Sequence, residues 1–158
     1  MNDIFLDIVT NRHLVTGFVG LVLAQILKVF FDYWRTKSWS RAMLTSTGGM
    51  PSSHSSLVVS LMLSIGIYEG FDTPVFAVSA AFALVVMHDA AGVRRHAGKH
   101  AEALNFLFSK LEKQGIKLDH KLKELLGHHP FEVIAGAILG IAVALAAYWL
   151  FPIRELVE

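Results

Sequence analysis

Four stretches of the chain are almost unbroken in apolar residues. Leu14 to Tyr33 has only Gln25, Lys28 and Asp32 as strongly polar positions. Leu57 to Tyr68 is apolar with small residues and extends helically back to Ser52. Pro74 to Met87 is almost wholly apolar, and Phe131 to Phe151 is apolar except for Glu132. A helix crosses the hydrocarbon core with about 20 residues, within a range of about 17–25. The first and last stretches reach that length alone, and the middle two reach it with their flanking turns. The pattern therefore predicts an all-α, polytopic membrane helix bundle in a single domain, 1–158, with about four transmembrane helices near 13–34, 53–71, 74–90 and 131–151. A soluble bundle with a large core is the alternative. It is disfavoured because four such stretches leave too little polar surface.

The segment from Glu102 to Leu126 follows another rhythm. Leu104, Leu107, Phe108 and Leu111 recur at i, i+3, i+4 and i+7, then Gly115 interrupts and Leu118, Leu122 and Leu125 resume, with Lys and Glu between them. This predicts an amphipathic helical insertion over about 100–126, as one or two helices. It lies on the membrane surface, packs on the bundle, or forms a solvated hairpin. Met1 to Asn11 carries Asp3 and Asp7 and lacks a basic start, so it reads as a short amphipathic lead-in and not a cleaved signal.

Composition sharpens the class. Of the 158 residues, 54% are hydrophobic and 17% charged, and the mean hydropathy is +0.51. A soluble domain carries about 25% charged residues. Disorder needs low hydrophobicity, so it is excluded too. The absence of cysteine excludes disulfides, thiol catalysis and cysteine-ligated metals. Net charge is only +1, so its distribution matters more than its total. With four crossings, the connections 36–53 and 91–130 share one face. With Arg35 at the helix end, that face holds Arg35, Lys37, Arg41, Arg94, Arg95, Lys99, Lys110, Lys113, Lys117, Lys121 and Lys123, against Arg12 and Arg154 on the other. Eleven against two places the large connections in the cytoplasm.

Four polar clusters fall on that same end. Gln25, Lys28, Asp32 and Arg35 share one helix face. Charges at membrane depth normally face the bundle interior or a wet cavity. The competing reading is that both cations snorkel to the headgroups; it is weaker for the deeper Lys28. The second cluster, Gly48-Gly49-Met50-Pro51-Ser52-Ser53-His54-Ser55-Ser56, opens the second stretch. Ser52 or Ser53 can cap that helix, whose free N–H groups favour an anion, and His54 on the first turn can exchange a proton with it. The third cluster runs from His88 to His100 and contains Arg94 and Arg95, a pair suited to phosphate oxygens or to an ordinary basic flank. The fourth, Gly127-His128-His129-Pro130-Phe131-Glu132, enters the last stretch, with Glu132 placed to hold an imidazole from behind. Gly136 and Gly140 follow at spacings that favour close helix packing. Together these residues describe an anion site at a bilayer surface, which suggests a phosphate carried on a lipid.

The ordered set Lys28-x6-Arg35, Pro51-Ser52-Ser53-His54 and His128-His129-Pro130-Phe131-Glu132-Val133-Ile134-Ala135-Gly136 resembles the type 2 phosphatidic acid phosphatase (PAP2) superfamily, related to vanadium haloperoxidases. Gly49-Met50-Pro51-Ser52-Ser53-His54 and Asp89-Ala90-Ala91-Gly92-Val93-Arg94-Arg95 look closest to its divergent branch of small membrane proteins. The resemblance covers roughly residues 13–150. It implies metal-independent, cofactor-free phosphomonoester hydrolysis through a phospho-histidine. On that basis His128 is the nucleophile, Glu132 its support and His54 the acid for the leaving alkoxide. Lys28, Arg35, Ser52, Ser53, Arg94 and Arg95 cradle the phosphoryl oxygens.

The sequence also departs from the superfamily pattern. Thr36 stands where a proline follows the first Arg, Ser53 replaces a glycine, and Glu132 replaces an aspartate. Leu122 occupies the place of the Arg six residues before the nucleophile, so Arg94 or Arg95 must supply it. His100 lies six residues after Arg94 but has Leu104 where an acid belongs, so His128 is preferred. Four crossings are also fewer than the superfamily's usual six.

A cytoplasmic face favours phosphatidylglycerophosphate or phosphatidate as substrate over isoprenoid pyrophosphates. The expected location is a bacterial inner or plastid-type membrane. The partners expected are a lipid phosphate and the bilayer, with no nucleic acid, and homo-oligomerisation is left open. Two rivals remain: a non-catalytic phospholipid or polyprenyl-phosphate carrier that keeps the cradle, and a metal site drawn from the histidines with Glu132, for which no HExxH pattern exists.

Overall fold

The computed structural model describes residues 3–37, 49–114, 122 and 129–151. The described residues form six helices and no strand: α1 (Ile4–Thr10), α2 (Arg12–Thr36), α3 (Ser53–Glu69), α4 (Pro74–Ala91), α5 (Val93–Glu112) and α6 (Pro130–Leu150).

Local chemistry sets the helix starts. The Asn11 carboxamide oxygen accepts the N–H groups of His13 and Leu14, at 3.0 and 3.1 Å, and opens α2. Of the two serines that could cap α3, Ser52 is the one that does, its Oγ accepting the Ser55 N–H at 3.3 Å. Thr73 caps α4 ahead of Pro74, and His129 precedes Pro130 at the start of α6. Proline suits a first helical position because its missing N–H would have had no partner there.

Among the described residues, three helical segments are long and apolar enough to cross a membrane: Arg12–Trp34, Pro74–Glu112 and Pro130–Leu150. The second contains α4 and α5, which follow one another across Gly92. The sequence pattern anticipates a fourth crossing near 53–71. The helix there, α3, has 17 residues, about 25 Å at 1.5 Å per residue, and is shorter than the other three. It is also the central member, packed against α2, α4 and α6, with Ser53, Ser55, Ser56, Ser60 and Ser64 all buried.

Small residues let the backbones approach α3 closely. Along α2 the inward face is Thr16, Gly17, Gly20, Ala24 and Lys28. Gly17 lies against Leu61, Gly20 against Ser56 and Ser60, and the Ser56 hydroxyl donates to the Gly20 carbonyl at 2.8 Å. His13 meets Ser64, so α2 and α3 run antiparallel. On the other side Gly136 abuts Ser52 and Ser55, and Gly140 abuts Ser56 and Val59, so α6 runs parallel to α3. The Gly70–Thr73 turn sends α4 back along α3, where Ala83 packs on Val58 and Val59. The C-terminal ends of α2 and α4 and the N-terminal ends of α3, α5 and α6 therefore meet at one end of the bundle.

The amphipathic segment differs from its expected bounds. Its helix starts at Val93, not near residue 100, because the chain turns once at Gly92 and re-enters a helix at once. It ends at Glu112. Of the expected stretch beyond Gln114, only Leu122 is among the described residues; the Asn105 carboxamide brackets its backbone, donating to its carbonyl at 2.8 Å and accepting its N–H at 2.9 Å.

Candidate functional site

The polar end of the bundle is built around Lys28. Three turns of small inward residues lead down α2 to it, and it continues that seam instead of leaving it. Its side chain is only 1% exposed, so it does not snorkel to the surface. Gly49 closes over it: a Cβ at that position would stand 3.2 Å from Lys28 Cγ and 3.3 Å from Cδ. Gly49 also has φ +100°, a conformation that favours glycine, so both backbone shape and space require it there. Glu132, from the first turn of α6, is near enough to act on the Lys28 ammonium by Coulomb attraction. A buried cation needs such a counter-charge, since an isolated ion in an apolar interior is prohibitively costly.

One backbone hydrogen bond ties the loop before α3 to α6, and a second bond caps α6 itself. The Ser52 N–H donates to the Glu132 carbonyl at 3.0 Å. Glu132 Oε2 accepts the His129 N–H at 3.0 Å, one half of a capping arrangement at the start of α6. Ser52 is fully buried, and its Oγ also accepts the Ser55 hydroxyl at 3.0 Å. Ser55, itself buried, is a member of this cluster that motif reasoning did not single out. Its spacing from Ser52, one helical turn, was the available signal.

The remaining expected residues are placed less completely. His54 stands on the first turn of α3 with an exposed side chain, next to the buried Ser53. Arg35 lies in the last turn of α2, and Arg94 and Arg95 in the first turn of α5, so their backbones belong to this end; their side chains lie outside the described residues. His128 also lies outside the described residues. The structure thus brings together Lys28, Gly49, Ser52, Ser55 and Glu132, from α2, α3, α6 and the loop entering α3. Among the described residues, no group of three or more His, Asp or Glu side chains is placed to hold a metal ion.

A second polar cluster occupies the opposite end and was not singled out in the sequence. His13 Nδ1 is 2.9 Å from Ser64 Oγ, and its Nε2 is 3.1 Å from Glu69 Oε1. The Arg12 guanidinium sits 4.7 Å from the Tyr68 ring centroid, and the Tyr68 hydroxyl donates to the Phe151 carbonyl at 2.6 Å. The Ser64–His13–Glu69 line has the order of a hydrolytic relay. Ser64, however, is fully buried in mid-helix, where neighbouring N–H groups belong to the helix ladder and none is available as an oxyanion donor. The cluster acts as a clasp joining α2, α3 and α6.

A helical bundle with three apolar spans among the described residues and a buried lysine at one end defines an integral membrane protein with a polar site at its rim. The chain belongs to the divergent PAP2 family, whose profile matches residues 9–143. It is similar to the uncharacterized membrane protein YuiD of Bacillus subtilis (strain 168), with 39% identity over 160 residues, covering 92% of this chain and 99% of the relative. No solved structure matches it.

Proposed function

We propose that this protein is a membrane lipid-phosphate phosphatase acting on a phosphomonoester of the phosphatidylglycerophosphate or phosphatidate class. The observation that supports the reading is the buried Lys28, packed under Gly49 and within the electrostatic reach of Glu132. A fixed cation beside a helix N-terminus is an electrostatic cradle for phosphoryl oxygens. Lys28, Arg35, Arg94 and Arg95, with Ser52 and Ser53, bind those oxygens. An imidazole nitrogen of His128 attacks phosphorus, and the lipid alkoxide leaves with a proton from His54. Water then cleaves the phosphorus–nitrogen bond, releasing phosphate and restoring His128. In this reading α3 is a fourth, short crossing shielded by its neighbours, and the site faces the cytoplasm, in line with the positive-inside charge bias.

One observation favours the carrier reading instead. The Ser52 hydroxyl and one Glu132 oxygen already serve as helix caps, and Lys28 is closed over, a suitable arrangement for a binding cradle without turnover. The two readings part in one experiment. Purified protein is given a panel of lipid phosphates, and released phosphate is measured for the wild type, His128→Ala and His54→Ala. A phosphatase releases phosphate, is blocked by vanadate, survives a strong chelator and loses activity in both variants. No release from any member of the panel, with binding retained, overturns the enzymatic reading.

A further inference from the structure

Among the described elements α5 packs only on α4, and most of its described side chains are exposed. That surface is two-sided. Leu104, Leu107 and Leu111 form one stripe and are 42%, 53% and 36% exposed. Lys99 and Lys110 lie around the helix from it, with the Lys110 ammonium 4.6 Å from the centroid of the exposed Phe106 ring. The helix contains four cations, Arg94, Arg95, Lys99 and Lys110, against two acids, Glu102 and Glu112, and Lys113 follows at its end.

We propose that α5 is seated in the headgroup layer of the bilayer and recognises an anionic lipid surface. Three observations select this occupant. First, α5 begins one residue after α4, the apolar part of a candidate membrane-crossing segment, so its start is fixed where the chain leaves the membrane. Second, Leu122, the one described residue between Gln114 and His129, meets α5 away from the leucine stripe. Asn105 brackets Leu122 from a position at least a quarter turn around the helix from Leu104, Leu107 and Leu111. Third, an apolar stripe flanked by cations matches acyl chains below and phosphate charge beside it. The seating requires neither a phosphate site nor turnover, so it stands apart from the proposed activity.

The chain has no cysteine, so single-cysteine spin labels report one position each. Full-length protein labelled at Leu107→Cys or Lys99→Cys is reconstituted into nanodiscs of phosphatidylcholine alone or with phosphatidylglycerol, about 3:1. Collision with oxygen and with an aqueous nickel chelate is then measured. The Leu107 label is expected to be open to oxygen and shielded from nickel, and the Lys99 label the reverse. Phosphatidylglycerol should lower nickel access at Leu107 at least about twofold, and adding Lys99→Glu with Lys110→Glu should abolish that difference. Equal nickel access at both positions would mean a solvated helix, and shielding from both reagents at Leu107 would mean a protein contact. Unchanged access on adding phosphatidylglycerol would mean seating without charge recognition. Each of these three results overturns the proposal.

Discussion

Replacing Gly136 by alanine tests whether the close approach of α6 to α3 organises the polar end. A Cβ there collides with the Ser52 carbonyl oxygen and also stands 3.0 Å from Ser55 Cβ and 3.1 Å from the Ser52 carbonyl carbon. These are mostly backbone atoms of a capped helix start, so they cannot swing aside. Overpacking of this kind costs about 1–3 kcal/mol. Moving α6 outward also weakens the Ser52 N–H bond to the Glu132 carbonyl, worth about 1 kcal/mol. Alanine recovers about 1 kcal/mol of helix propensity. The net loss is about 1–3 kcal/mol, and at roughly 2–4 °C per kcal/mol for a chain of this size the apparent Tm falls by about 2–12 °C. Gly17→Ala is the control, because its Cβ meets Leu61 Cβ at 3.3 Å and the Leu57 carbonyl at 3.4 Å, contacts that a small shift relieves. Detergent-solubilised variants are heated and followed by intrinsic tryptophan fluorescence. A Gly136→Ala transition within about 1 °C of wild type, or an equal loss in Gly17→Ala, would refute the packing argument.

Three further outcomes follow from the geometry. Lys28→Met keeps the buried stem against Gly49 but removes the charge, so phosphate release should fall about 100-fold or more, the scale of losing one transition-state charge stabiliser; retained release would remove Lys28 from the cradle. Glu132→Gln keeps an acceptor for the His129 N–H, so its thermal stability should exceed that of Glu132→Ala by about 1 kcal/mol, while both lose activity; equal melting of the two would deny the cap. His13→Ala breaks the contacts to Ser64 and Glu69 at the far end, so it should lower stability by about 1–2 kcal/mol and leave phosphate release within about twofold, because distant sites act independently. A large activity loss at full stability would show the two ends to be coupled.

The helices were largely legible in the chain because their signals are local. Asn11, Ser52, Thr73-Pro74 and His129-Pro130 are starts, Gly70 is a stop, and each lies beside a long apolar run, so the helix ends fall within about two residues of those expected. The start of α5 was not legible because residues 93–101 contain no leucine and carry no apolar period. The helix instead starts at Val93, after a single-residue turn at Gly92 that periodicity does not register. Gly136 and Gly140 announced a close helix partner, and the register of α6 on α3 identifies it.

What the chain determined by itself is which residues are apolar for a membrane-length run and which few are charged within one. Hydropathy, capping and charge bias are sums over neighbours in sequence, and they already made Lys28 costly to leave in lipid. Only the folded bundle decided where that charge goes: inward, under Gly49 and within the electrostatic reach of Glu132, which is 104 positions away in the numbering. The clasp of His13 with Ser64 and Glu69 was equally hidden, because residues 51 and 56 positions apart become neighbours only when α2 and α3 settle into antiparallel register. That register is set by small side chains fitting against one another, and such fit is a property of two surfaces in contact, which no single stretch of sequence contains.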